Sequence, residues 1–386
     1  MKNILITIIL LAILLAGCSH STDTTTNTTS MESINTPAEL TTAPISQEIP
    51  ILNPMVTVSL PGSLEEFTSD DGSVIFRYFR QRMQLIVPDQ EVADKIIDDF
   101  RNRIDQSATV AEEIHQQAIT AYQNQTLQSP FLCNVTHAPM RIDQTVLSLY
   151  GNHITYSGGA HPSYSCCAAN YNMLTGEVLT LGSILAGPES KAQLCQLVID
   201  QLAEQQEAQY IWPSYPDTVT QRFATEESFD ESWYFSDRGI CFYFAPYEIA
   251  AYASGVIIAE VPYGKLTGII DDAFFPPESD RSTGSLTVIA ADDNDLDLSQ
   301  FTRFSELIID PDAPACVVFT DGVVTNVQIY AMNKADQKPY TAYAAQAIGA
   351  QDAIIIEALP DVLKDMYITF RSGGEDVVLP LKALSN

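Results

Sequence analysis

The sequence predicts an α+β fold in which helices pack on a curved antiparallel sheet, followed by a small all-β, sandwich-like domain. Three observations carry this reading. Between Leu64 and about Pro276, runs that alternate apolar and polar residues are interleaved with runs whose apolar residues recur every three or four positions. A proline-rich stretch, Phe275-Pro276-Pro277-Glu278 through Thr283-Gly284, then breaks the pattern. Beyond it, residues 285–386 read as six or seven short strands separated by turn residues, as expected of a sandwich.

The N-terminus points to a compartment. Lys2 precedes an apolar run from Ile4 to Leu15, interrupted only by Thr7 and too short to span a bilayer as a mature helix. Residues 1–17 therefore read as a lipoprotein signal peptide. Leu15-Ala16-Gly17-Cys18 resembles the bacterial lipobox, which implies lipidation of Cys18 and an extracytoplasmic, lipid-anchored protein. Residues 18–60 read as a tether: between Ser19 and Pro50, 14 of 32 residues are Ser or Thr, too polar to offset their ordering entropy by burial.

The elements of the module, residues 64–276, follow in order. Ser73 to Val87 alternates as a strand, with Phe79, Met83 and Leu85 marking a twist or bulge. Pro88-Asp89 ends it and caps a helix in which Val92, Ile96, Phe100 and Ile104 recur every four residues, with a possible second helix after a break near Ser107-Ala108-Thr109. Strands are expected at Gln144 to Tyr156, at Tyr164 to Met173 and, after the turn Leu174-Thr175-Gly176-Glu177, at Val178 to Leu181. Pro188 to Tyr210 reads as a helix with Leu194, Leu197, Val198 and Leu202 on one face. Trp233-Tyr234-Phe235 and Ile240 to Phe244 flank a hairpin turn, and Val256 to Val261 suits a central strand covered on both faces. After the linker at 277–284 come strands at 285–289, 315–319, 323–332, 353–357, 366–371 and 377–381.

The chain of 386 residues carries 49 acidic and 19 basic side chains, a formal net charge of −30. The acids are distributed: 30 against 12 basic residues in the middle of the chain and 15 against 6 in residues 285–386. Long-range repulsion excludes a general nucleic-acid or anionic-membrane binder and permits basic partners, the plain reading being that the acidity keeps the protein soluble. Enzyme signatures are absent: no G-x-S-x-G, H-E-x-x-H, P-loop or G-x-G-x-x-G follows a strand, so neither catalysis nor a cofactor is expected. Asp293, Asp295 and Asp297 have calcium-loop spacing, but Leu298 and Phe304 occupy the positions that need Gly and a bidentate Glu, leaving a solvated turn. Six cysteines follow Cys18 without a C-x-x-C motif, and vicinal Cys166 and Cys167 on a strand would face opposite ways, so no metal site is expected. Free thiols and one or two bridges both fit this spacing.

Two stretches stand out as candidate binding surfaces. In Tyr156-Ser157-Gly158-Gly159-Ala160-His161-Pro162, two glycines permit positive φ and Pro162 fixes the exit, so His161 sits on a rigid corner near Tyr164. The plain alternative is a structural corner whose imidazole bonds backbone carbonyls. In Phe242 to Gly255, aromatics around Pro246 form either core or an exposed platform, with Tyr247 and Tyr252 as the candidate contacts. The candidate binding residues are therefore Tyr156, His161, Pro162, Tyr164, Pro246, Tyr247 and Tyr252.

Ser157-Gly158-Gly159-Ala160-His161-Pro162, Asn170-Tyr171-Asn172, Thr175-Gly176, Phe244-Ala245-Pro246-Tyr247-Glu248-Ile249, Gly255 and Val261-Pro262-Tyr263 together resemble the PdaC/RsiV-like extracellular modules, over roughly Phe67 to Phe274. Ala251 departs from the pattern, which tends to place a second proline there. The resemblance implies a binding module of the kind that senses lysozyme in an anti-sigma factor and accompanies a peptidoglycan deacetylase. Neither the deacetylase motif T-F-D-D nor its spaced histidines occur here. What the resemblance implies is thus a non-catalytic cell-surface module for cell-wall glycan or for a basic host protein such as lysozyme. A hydrolase or accessory subunit acting on peptidoglycan is the alternative.

Overall fold

The computed structural model describes residues 56–224, 232–277, 282–291 and 296–381, all within one compact unit that begins at Ile51. The expected signal peptide, Cys18, most of the tether, the middle of the linker, Asp293 and Asp295 lie outside the described residues.

The chain begins with β1 (Thr57–Ser59), β2 (Gly62–Thr68), β3 (Val74–Gln81) and β4 (Gln84–Ile86), then the long helix α1 (Gln90–Gln123). A meander follows: β5 (Phe131–Ile142), β6 (Val146–Tyr156) and β7 (Ser163–Asn172). Next come α2 (Leu181–Ile184), α3 (Ser190–Glu204), α4 (Tyr215–Ala224), β8 (Trp233–Phe235), β9 (Gly239–Phe244), β10 (Ile257–Pro262) and α5 (Tyr263–Leu266). The C-terminal part holds β11 (Leu286–Ala290), β12 (Arg303–Ile308), β13 (Ala315–Thr320), β14 (Val324–Asn333), β15 (Lys338–Ile348), β16 (Asp352–Glu357), α6 (Pro360–Leu363), β17 (Tyr367–Ser372) and β18 (Glu375–Pro380).

The fold is α+β with a β-rich C-terminal part. One sheet has the order β2-β3-β5-β6-β7, antiparallel except for the parallel β3–β5 pair, and α1 packs on it. A three-stranded sheet, β10-β9-β8, shares a core with α3 and α4. The C-terminal part pairs a six-stranded sheet, β18-β17-β14-β15-β1-β4, with a four-stranded one, β11-β13-β16-β12, and residues of both fill one core. Among the described residues, no helix is long and apolar enough to cross a membrane.

Helix α1 is continuous. The Asp89 side chain accepts a hydrogen bond from the Glu91 N–H at 2.9 Å, as an N-cap should. The buried stripe Val92, Ile96, Phe100, Ile104, Ser107, Ala111, Ile114 and Ala118 then runs without interruption. Of the two readings, one helix or two with a break at Ser107, the first holds: the Ser107 hydroxyl donates to the Ile104 carbonyl at 2.6 Å and meets the Tyr78 hydroxyl at 3.3 Å. A polar residue can therefore sit in the stripe without an unsatisfied group.

Other expectations need correction. Residues 56–60 are not tether: alternating Val56, Val58 and Leu60 are buried, and β1 is hydrogen-bonded to β15 on one side and β4 on the other. The segment 277–284 does not separate two sheets, since β1 and β4 complete the C-terminal one, and the Thr283 and Gly284 N–H groups both donate to the Val323 carbonyl. Val178 makes only an isolated bridge to Tyr171, and Leu181 starts a helical turn capped by Thr180. β10 is an edge strand of its sheet: Ile258 is exposed, and Glu260 pairs with Arg238 at 2.8 Å. The strands β5, β12 and β15 and the helix α4 were not expected from the sequence pattern.

Candidate binding site

The hairpin joining β6 to β7 turns through Gly158 and Gly159, with φ of +95° and +98°. Nothing lies within 4 Å of a Cβ built on Gly159, so it is backbone conformation rather than space that favours glycine there. The turn projects His161 into solvent, with its Nδ1 3.0 Å from the Pro162 carbonyl oxygen. One face of the imidazole stacks on Tyr252 at 3.9 Å between ring centres and an interplanar angle of 26°. The two readings of this corner thus combine: the ring meets a backbone carbonyl and also joins an aromatic group.

Tyr252 reaches the same corner from the loop after β9. Its hydroxyl donates to the Pro162 carbonyl at 2.8 Å, and its ring lies 6.1 Å from Tyr164 and 5.6 Å from Tyr247. Partial desolvation, followed by the neighbouring Tyr164 and Tyr247, raises the pKa of this phenol, keeping it a neutral donor. Tyr247 is 60% exposed and adopts φ +70°, a left-handed conformation that a bulky residue rarely takes.

The rest of the loop holds that conformation. The Tyr247 N–H donates to the Ala250 carbonyl at 3.0 Å, and the Ala245 N–H donates to Glu248 Oε2 at 2.8 Å. Glu248 also pairs with Arg222 of α4 at 2.8 Å. Burial pushes the Glu248 carboxyl up, and the Arg222 charge opposes that shift. Pro246, half-buried, fixes the backbone just before the strained tyrosine.

Five of the expected residues, His161, Pro162, Tyr164, Tyr247 and Tyr252, thus meet in one cluster, with Pro246 as a scaffold. Tyr156 does not join the cluster. Its ring packs against Phe131 at 6.1 Å, and its hydroxyl donates to the Gly159 carbonyl at 3.3 Å. There it forms part of the wall of two depressions on the surface. The larger, about 700 Å³, runs along α1 past Gln116, Thr120 and Asn124 to Gln128, Phe131 and Tyr156. The smaller, about 350 Å³, is lined by Arg77, Phe131, Tyr156, His161, Pro162 and Asp336. The lining of the larger is free of charged side chains and rich in amides and hydroxyls.

Sequence reasoning missed these groove residues. The alternation of Phe131, Cys133 and Val135 would have placed β5, but the amides of α1 carry no motif and gain meaning only from packing beside Tyr156. Among the described residues, the side chains that together could hold a metal ion are His137, His153 and Cys167, which lie under α1 and away from the aromatic cluster. None of the six cysteines after Cys18 is in a disulfide, and Cys166 and Cys167 do face opposite ways.

Two family models match the sequence. "Deacetylase PdaC" matches residues 83–164, and "Protein of unknown function (DUF3298)" matches residues 185–264. No curated protein matches the chain. Among solved structures, a DUF3298 family member from Bacteroides fragilis NCTC 9343 is similar at 15% identity and a TM-score of 0.40, over 56% of this chain and 94% of its own. A DUF3298 family protein from Pseudomonas aeruginosa PAO1 is similar at 17% identity and a TM-score of 0.36, over 57% of this chain and 97% of its own. His161 and Pro162 fall in the first matched segment and Tyr247 and Tyr252 in the second, so the aromatic cluster forms where the two meet. The chain therefore carries a PdaC/DUF3298-like module.

Proposed function

We propose that the protein is a non-catalytic, cell-surface binding module for cell-wall glycan, held at the membrane by lipid on Cys18. The observation that supports this most is an uncharged groove, walled by Tyr156 and by the glycine turn that also carries His161 to the aromatic platform. Sugar rings offer apolar faces that stack on Tyr and Trp and hydroxyls that pair with amides. Here Tyr252, Tyr247 and Tyr156 would supply the faces, and Gln116, Thr120, Asn124 and Gln128 the amides and hydroxyls. The resemblance to modules found beside a peptidoglycan deacetylase fits the same ligand class and an extracytoplasmic location.

The test is retention of the purified protein on isolated peptidoglycan. Stacking and hydrogen bonds predict retention that persists in high salt and falls when Tyr156 or Tyr252 is changed to Ala. Failure of the wild-type protein to sediment with peptidoglycan at any salt concentration would sink the reading.

A second reading, a basic protein partner such as lysozyme, is favoured by a separate observation. The net charge of −30 and the 60% exposure of Tyr247 suit a steered encounter ending on an aromatic anchor. That partner would be captured at low ionic strength and released by salt, whereas the glycan would not.

A further inference from the structure

The meander β5-β6-β7 assembles a second polar group that the platform does not use. His137 of β5 stands directly opposite Gly151 of β6, and Gly151 stands directly opposite Cys167 of β7. Backbones two strands apart are separated by roughly 9–10 Å, so an ordinary side chain on the middle strand would keep an imidazole and a thiol apart. Gly151 removes that obstacle. A Cβ there would lie 2.5 Å from the Cys167 sulfur and 2.9 Å from two atoms of the His137 ring. His153 follows two residues along β6 and so shares the face. As a result Cys167 Sγ lies 3.5 Å from His153 Nε2 and 3.9 Å from His137 Nε2.

The geometry points to a three-ligand metal site, formed by His137 Nε2, His153 Nε2 and Cys167 Sγ, for a thiolate- and imidazole-preferring d¹⁰ ion, zinc(II) or copper(I). All three ligand atoms lie within 4.8 Å of one another. With Zn–S near 2.3 Å and Zn–N near 2.05 Å, a tetrahedral angle sets sulfur and nitrogen about 3.6 Å apart and a trigonal angle about 3.8 Å apart. The observed separations of 3.5 and 3.9 Å bracket those values. One thiolate with two imidazoles is a donor set that suits zinc and copper and not calcium or magnesium.

The surroundings agree. His137 is buried beneath Phe100, whose ring lies 4.9 Å away, while His153 and Cys167 are half-buried. The Arg103 charge, which would oppose a cation, is matched by Asp99 at 2.7 Å. Cys166, one residue away, faces the other side of the sheet and meets the Tyr150 hydroxyl at 2.9 Å. On binding, the Cys167 thiol gives its proton to solvent and its sulfur lone pair to the metal.

The experiment uses the whole purified protein, stripped of metal under reducing, anaerobic conditions. Titration with Co²⁺ should give one equivalent with a thiolate-to-cobalt charge-transfer band, which one equivalent of Zn²⁺ bleaches. Cu⁺, added separately, shows by competition which of the two ions the site prefers. The band should be lost in Cys167→Ser and in His153→Ala and kept in Cys166→Ser, with the melting temperature of each variant confirming that it folds. Because His137 is buried, His137→Gln serves only as a supporting variant. Absence of a one-equivalent step with Co²⁺, Zn²⁺ and Cu⁺ in the wild-type protein, or a band that survives Cys167→Ser, would overturn the site.

Discussion

The β6–β7 hairpin presents histidines in two settings. At its tip, His161 is exposed, stacked on Tyr252 and held by a glycine turn. Along its shaft, His153 faces Cys167 across the strands, with His137 of β5 on the other side of Gly151. The tip gathers rings from two loops and leaves them facing solvent. The shaft gathers polar atoms under a helix, where an approach of a few tenths of an ångström decides what fits. A substitution in the shaft should therefore be felt mainly as stability, and one at the tip mainly as binding.

The largest effect expected is at Arg141, buried near the end of β5 that lies away from the tip. Arg141 and Asp143 are only 3% and 4% exposed at 2.6 Å, and the guanidinium also donates to the Tyr263 hydroxyl and the Phe274 carbonyl. Replacing Arg141 with Met should cost about 3–5 kcal/mol in urea unfolding, because a buried carboxylate loses its partner. A cost below about 1 kcal/mol would show that this buried position tolerates an open charge. Gly151→Val comes next: its side chain would collide with Cys167 and His137, for an expected loss of about 1–3 kcal/mol by the same measurement.

Effects at the tip are smaller in stability and larger in binding. Tyr252→Ala should leave the melting temperature near wild type yet weaken peptidoglycan retention on the order of tenfold. Tyr252→Phe, which keeps the stacking ring but not the hydrogen bond to Pro162, should fall between the two. His161→Ala is expected to change affinity by less than about tenfold and stability by less than about 0.5 kcal/mol, since an exposed ring is removed. A melting temperature that collapses in His161→Ala would erase the distinction between tip and shaft.

The tip was legible in the sequence for a physical reason. Its glycines, proline and histidine are contiguous, and their conformational demands are local. The meeting of His161 with Tyr252 was not legible, because 90 residues separate Pro162 from Tyr252. The shaft was illegible for the opposite reason. His137, Gly151, His153 and Cys167 have no characteristic spacing, and they converge only once the register of three strands is set, one of which, β5, went unread. Helix α1 was read from its four-residue recurrence, but its continuity through Ser107 depended on a tertiary partner, Tyr78. In the C-terminal part the alternation revealed most strands. It could not show that β1, from the far end of the chain, lies among them.

That placement of β1 sets the order of assembly. The Gly62 N–H donates to the Tyr340 hydroxyl, 278 residues away, and β1 lies between β15 and β4. A nascent chain emerging N-terminus first must hold β1 with at most one of its two neighbours, β4, until β15 has been made, a long-range closure of the kind that slows folding. A chain cut short before Lys338 would keep that early strand without its neighbour, with an apolar edge open to other chains. The last third of the sequence thus works as a lock on the first strand, and synthesis must deliver most of the polypeptide before the fold can close.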